Sequence, residues 1–132
     1  MNAIEYLTNQ HLEIDSLFDQ IESAARVTTK RRLRRKLLDL VAVHAAIEER
    51  IFCPAARDAG MEDLLPCALV DHLAVESLAA ELADAGDGSA EAARLMALLR
   101  DRKRQHAALE ESELFPRASR LLGPAALETL GW

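Results

Sequence analysis

The chain has 132 residues, half of them hydrophobic, and 22 acids against 16 Lys and Arg give it a net charge of −6. That length suits one domain with a single core, and the acidic balance argues against nucleic acid or an anionic membrane surface as a partner. No apolar run approaches the roughly 18 residues that cross a bilayer, so no membrane span is expected. The opening segment MNAIEYLTNQ has neither the basic lead nor the long apolar stretch of a secretory signal, so a cytoplasmic location is expected. Cys53 and Cys67 form no CxxC pair and read as free thiols.

Residues 3 to 26 carry Ile4, Leu7, Ile14, Phe18, Ile21 and Ala25 at steps of three and four, the apolar seam of a bundle helix, with His11 filling the missing step. A second helix over about 29 to 52, starting after Thr28 or Thr29, repeats the rhythm with Leu33, Leu37, Leu40, Ile47 and Ile51, interrupted by His44. Gly60 and Pro66 punctuate the next connection. A third helix follows to about Ala85, with Leu65, Leu69, Ala79 and Ala83 in its seam and His72 and Glu76 in the gap. The turn GDGS offers Ser89 as an N-cap for a fourth helix with Leu95, Leu99 and Leu109, interrupted by His106. Gly123 and Pro124 end or bend that helix, and ALETL suffices for a short terminal helix that lids the bundle. The short connections predict an all-α, up-down-up-down four-helix bundle with a short C-terminal helix, in one domain over residues 1 to 132.

The four histidines fall one per helix, and a carboxylate follows each by four residues: His11 and Asp15, His44 and Glu48, His72 and Glu76, His106 and Glu110. Residues four apart lie one above the other on a helix face, so each pair presents an imidazole and a carboxylate to the same space. Chance placement would produce all four pairs on the order of once in a thousand sequences. An internal repeat strengthens the pattern: HAAIEE at His44 returns as HAALEE at His106, and Pro54 and Pro116 follow at the same distance. A lone histidine in an apolar seam is usually a hydrogen-bonded core residue. Four such pairs meeting in one core would instead bury several carboxylates without cations, at several kcal/mol each.

Imidazole and carboxylate ligands without thiolate suit iron, with manganese and zinc next, and not the all-oxygen shells of calcium and magnesium. Two ions fit better than one. Four histidines and two bridging carboxylates, Glu48 and Glu110, with an oxo or hydroxo bridge, leave few positions open. Glu76 is expected to supply one more bond. Asp15, one methylene shorter, is the weaker ligand, which predicts the vacancy on the ion held by His11 and His44.

These residues resemble the hemerythrin family, in particular the bacterial hemerythrin-like HHE cation-binding domains. The resemblance covers nearly the whole chain and rests on His11, the pair His44 and Glu48, His72, and the pair His106 and Glu110 with the trailing prolines. It implies a non-haem di-iron centre in an up-down-up-down bundle. Two departures stand out: oxygen-carrying members have a second histidine where this chain has Glu76, and place the fourth-helix carboxylate at the position of Glu111. The extra carboxylate adds negative charge, favours oxidised ions and argues against reversible oxygen transport. Glu110 is the expected bridge because it matches Glu48 in the repeat, leaving Glu49 and Glu111 as solvated or outer groups.

The functional expectation is binding or reduction of a small oxidant (dioxygen, peroxide or nitric oxide) at the vacant position, with peroxide removal favoured. The rival readings are a non-catalytic gas or iron sensor and an iron storage or repair accessory. The basic run Lys30, Arg31, Arg32, Arg34, Arg35 and Lys36 reads as a solvated face, or else as a dock for an acidic protein partner. Arg102, one turn before His106, either pairs with a site carboxylate or reaches the surface. Tyr6 and Trp132 are assigned to packing or the surface.

Overall fold

The computed structural model describes residues 2–61 and 69–130, with the side chains of residues 69–71 and 130 outside the description. Leu65, Pro66, Cys67 and Trp132, and the side chain of Leu69, therefore lie outside the described residues.

Helix α1 spans Ala3–Ser23, shorter than expected, and opens on a capping box in which the Asn2 side chain accepts from the Glu5 N–H while Glu5 accepts from the Asn2 N–H. Helix α2, Val27–Ile47, has Arg26 at its N-cap with no side-chain bond. It runs on through a π-helical turn, Glu48–Phe52, into α3, Cys53–Asp58. Helix α4 is Leu69–Asp84. Helix α5, Ala90–Leu109, is capped by the Ser89 hydroxyl, as expected. A second π-helical turn, Glu110–Leu114, leads to α6, Phe115–Leu130. Gly123 breaks α6 at φ 78°, where a side chain would be strained and the next residue is proline. Among the described residues, no strand is present and no helix is long and apolar enough to cross a membrane.

The π turns fall at equivalent places in the two repeats, and sequence explains why. The N–H groups of Cys53 and Phe115 reach back five residues to the carbonyls of Glu48 and Glu110. Pro54 and Pro116 come next; in a regular α-helix each ring would press on the carbonyl four residues earlier and leave it without a donor. A widened turn relieves both problems. It also re-phases the helix, so that Glu48, Phe52, Cys53 and Ala56 are all buried.

Helix α1 packs on α2 and α5, and α4 packs on α5 and α2, closing the up-down-up-down ring. The apolar core is divided. One cluster holds Ile14, Leu17, Phe18, Leu37, Val41, Leu82, Leu95 and Leu99. The other holds Ala3, Leu7, Phe52, Met61, Leu114 and Phe115. The histidines sit between the two along each helix: His11 lies between Leu7 and Ile14, His44 between Val41 and Phe52, His106 between Leu99 and Leu114. Several expected seam residues fall off the seam, because the inward stripe takes other steps. Leu40, Ile47, Ile51, Ala79 and Leu109 are half-buried, while Ala25 and Ala83 are exposed; Val41, Phe52, Val75 and Leu82 take the core positions. Cys53 is buried and disulfide-bonded, which corrects the expectation of free thiols.

Candidate metal centre

Two groups of side chains converge between the apolar clusters, and they share a residue. His11, His44, Glu48 and Glu110 each bring a ligand-type atom within 4.8 Å of the others, and Glu48 does the same with His72 and His106. The two oxygens of Glu48 divide the work. Oε1 meets Nε2 of His44, while Oε2 lies 3.3 Å from Nε2 of His106 and 3.6 Å from Nε2 of His72. Oε1 of Glu110 is 2.9 Å from Nε2 of His11, 3.8 Å from that of His44 and 3.6 Å from that of His106. Both carboxylates thus stand between two imidazole pairs.

The site has the chemistry of a cation site, because its buried acceptors are left over. Nε2 of His44, Nε2 of His72, Oε1 of Glu48 and Oε2 of Glu110 are buried without a hydrogen-bond partner among the described residues. Unpaired polar atoms of this kind are costly in a dry core. A cation in either group would satisfy lone pairs that no other described residue satisfies.

The far sides of the rings are held. Nδ1 of His44 donates to Oε1 of Gln10 at 2.8 Å, and Nδ1 of His72 donates to Oε1 of Glu49 at 2.7 Å. Nδ1 of His11 is 3.5 Å from Oε2 of Glu111. The first two bonds turn Nε2 of His44 and His72 inward as the bare lone pair, whereas Nδ1 of His11 has no hydrogen-bond partner among the described residues and its Nε2 bonds Oε1 of Glu110 at 2.9 Å. Phe115 stacks on His11 with centroids 5.9 Å apart and planes 12° apart, fixing the ring from the apolar end.

Protonation follows from the crowding. Burial alone would raise Glu48, but the imidazoles of His44, His106 and His72 crowded around it outweigh that and hold Glu48 well below the usual carboxylate range. Burial pushes Glu110 well above that range, and neighbouring Glu48 adds to the rise. Two carboxylates in one dry site do not both ionise without cations. Burial takes His11 down to about 4, against the opposing pull of Glu48. The neighbouring carboxylates of Glu48 and Glu49 raise His72, against the opposing effect of burial.

Of the residues expected from sequence, His11, His44, Glu48, His72, His106 and Glu110 are brought together. Glu76 and Asp15 are not. Glu76 is exposed, because the inward stripe of α4 steps from His72 to Val75. Asp15 lies beside Ile14, the inward residue of its turn, and accepts from Nε of Arg104 at 2.9 Å. With both set aside, counting ligands no longer places the open position on the ion of His11 and His44. Glu110 faces inward, whereas the Glu111 side chain is 43% exposed. Glu49, expected as a solvated or an outer group, is an outer group that bonds a site histidine. Arg102 is exposed, and it is the next residue, Lys103, that is buried beside the site, where burial lowers its pKa against the pull of Glu48 and Glu110. Sequence reasoning missed Gln10 and Lys103. Lys103 had a legible signal: Leu95, Leu99, Lys103 and His106 step by four, four and three along one face.

A helix bundle that buries four imidazoles around two carboxylates, between two apolar layers, defines a protein able to hold cations in its core. Comparison with family models leads to the same place: residues 2–118 match the hemerythrin HHE cation-binding domain. The chain belongs to the hemerythrin HHE family. No curated protein and no solved structure matches it.

Proposed function

We propose that the centre holds two metal ions, iron before manganese or zinc, and that it binds and reduces a small oxidant, with peroxide the favoured substrate over dioxygen or nitric oxide. The observation that carries this reading is Glu48, whose two oxygens face different imidazole pairs. His11 and His44 would hold one ion, His72 and His106 the other, with Glu48 and Glu110 between them. Two iron ions with this ligand set supply one electron each, enough to break one O–O bond. The chain's own part is to hold the imidazoles in the right tautomer through Gln10 and Glu49, and to exclude bulk water with Phe115, Phe52 and the aliphatic layers.

Access favours the His11 side. A cavity of about 230 Å³ between α1 and α5 is lined by His11, Phe18, Lys103 and Ala107 among others, so a small ligand has a route to that ion. No comparable support attaches to docking of an acidic protein at Lys30 to Lys36, where Arg31 and Arg34 are engaged with Asp87 at 2.5 and 2.8 Å.

Elemental analysis with an ultraviolet-visible spectrum, before and after azide or peroxide, tests the proposal. Two iron ions per chain and a new charge-transfer band with azide are expected. Peroxide consumption by iron-loaded protein no faster than by a His72→Ala variant would remove the catalytic part and leave a binding module.

A further inference from the structure

Lys103 is a lysine where an aliphatic residue would pack. It is 7% exposed, stands one turn before His106 on the inward face of α5, and lines the same cavity as His11. Burial lowers the pKa of its amine, with Glu48 and Glu110 pulling the other way, and no carboxylate among the described residues comes within ion-pairing distance of it. The other cations on the cavity wall are engaged: Arg104 with Asp15, and Arg100 with Asp19 and Glu22. Lys103 is therefore the buried amine on this cavity wall that no described carboxylate pairs with. Its neighbours there include Ile14, Phe18 and Ala107, which lower the local dielectric and strengthen any charge interaction, while the carboxylates on the wall, Asp15 and Glu111, face Arg104 and His11.

We propose that Lys103 makes this cavity an anion-selecting entrance, and that the ligand it admits is a small monoanion of the azide or hydroperoxide class. The inference rests on the two-ion reading above. Two divalent ions set against two carboxylates leave a positive centre, and a lysine beside it sharpens the demand for an anion. A cavity of about 230 Å³ holds a few heavy atoms and solvent, given that a water occupies about 30 Å³ of liquid. The size admits only small molecules, and the charge selects among them.

The test titrates azide into iron-loaded parent, Lys103→Met and Lys103→Arg proteins, following the charge-transfer band and iron content, with nitric oxide on the reduced proteins as a neutral probe. Lys103→Met is expected to weaken azide about tenfold or more, Lys103→Arg to stay near the parent, and nitric oxide to bind all three alike. Azide binding to Lys103→Met as tight as to the parent, at equal iron content, overturns the proposal and leaves the two-ion reading intact. An equal loss of azide and nitric oxide affinity also overturns it, because that marks a packing role. An iron-loaded parent that binds no azide overturns both readings. Should Lys103→Met fail to load iron, Lys103→Gln takes its place with the same reading: azide weakened about tenfold or more with nitric oxide unchanged is expected, and azide bound as tightly as by the parent overturns the proposal.

Discussion

Nδ1 of His44 donates to the side-chain oxygen of Gln10 at 2.8 Å, and this one bond leaves Nε2 of His44 as the ring's bare lone pair, aimed at Glu48 and Glu110. Gln10 is only 4% exposed, so no bulk water replaces it. Gln10→Leu is expected to keep the helical fold and lower metal affinity at the His11 and His44 ion by about 10- to 100-fold. Competition against a chelator of known affinity measures this. Unchanged affinity would show that ring orientation is set elsewhere, with Phe115 and packing as the remaining causes.

Glu49 plays the matching part for the other ion, since it accepts from Nδ1 of His72 at 2.7 Å, while Glu111 stays 3.5 Å from Nδ1 of His11 and is more exposed. A short charge-assisted bond is worth more than a longer, wetter contact. Glu49→Gln should therefore weaken the second ion by about tenfold, and Glu111→Gln should have a smaller effect on the first. Stepwise metal titration of both variants reads the two sites. The reverse order of effects would contradict the assignment.

Asp15 and Glu76 have the same sequence spacing as the bridging glutamates, but face Arg104 and solvent. Asp15→Ala and Glu76→Ala are each expected to retain two ions per chain with unchanged spectra. Surface changes of this sort cost within about 0.5 kcal/mol of stability. Loss of one ion in either variant would return that carboxylate to the ligand set.

Glu110 gives the metal-free protein a pH dependence of known sign. Burial raises its pKa well above 4.5, so its contribution to stability is complete below that value and is lost as pH rises through the folded value. Glu110→Gln removes the penalty. Metal-free variant should melt above metal-free parent at about pH 8, with the gap closing toward about pH 5, and the order should reverse once metal is added, because the variant lacks an anionic bridge. A gap that widens with acid would show that Glu110 is ionised in the empty site.

Much of this was legible in the sequence. Steps of three and four placed His11, His44, His72 and His106 inside one bundle, and the HAAIEE and HAALEE repeat picked out Glu48 and Glu110. What spacing could not say is which of two inward steps a stripe takes. After His44 and His106 the stripe reaches the residue four on; after His11 and His72 it takes Ile14 and Val75, three on, and leaves Asp15 and Glu76 outside. The π turns were foreshadowed by Pro54 and Pro116, whose rings forbid a regular turn, but their effect on phase appears only once the helix is built. Gln10 carried no signal, because a glutamine on a helix face is ordinarily solvated and its role depends on a ring 34 positions away in sequence.

Anomalous diffraction from crystals of iron-loaded protein addresses the two-ion claim at its centre. The account predicts two iron peaks about 3.5–4 Å apart, one beside His11 and His44 and one beside His72 and His106, with the two oxygens of Glu48 on different ions. A single peak, or two peaks with Glu48 bound to one of them alone, would contradict it.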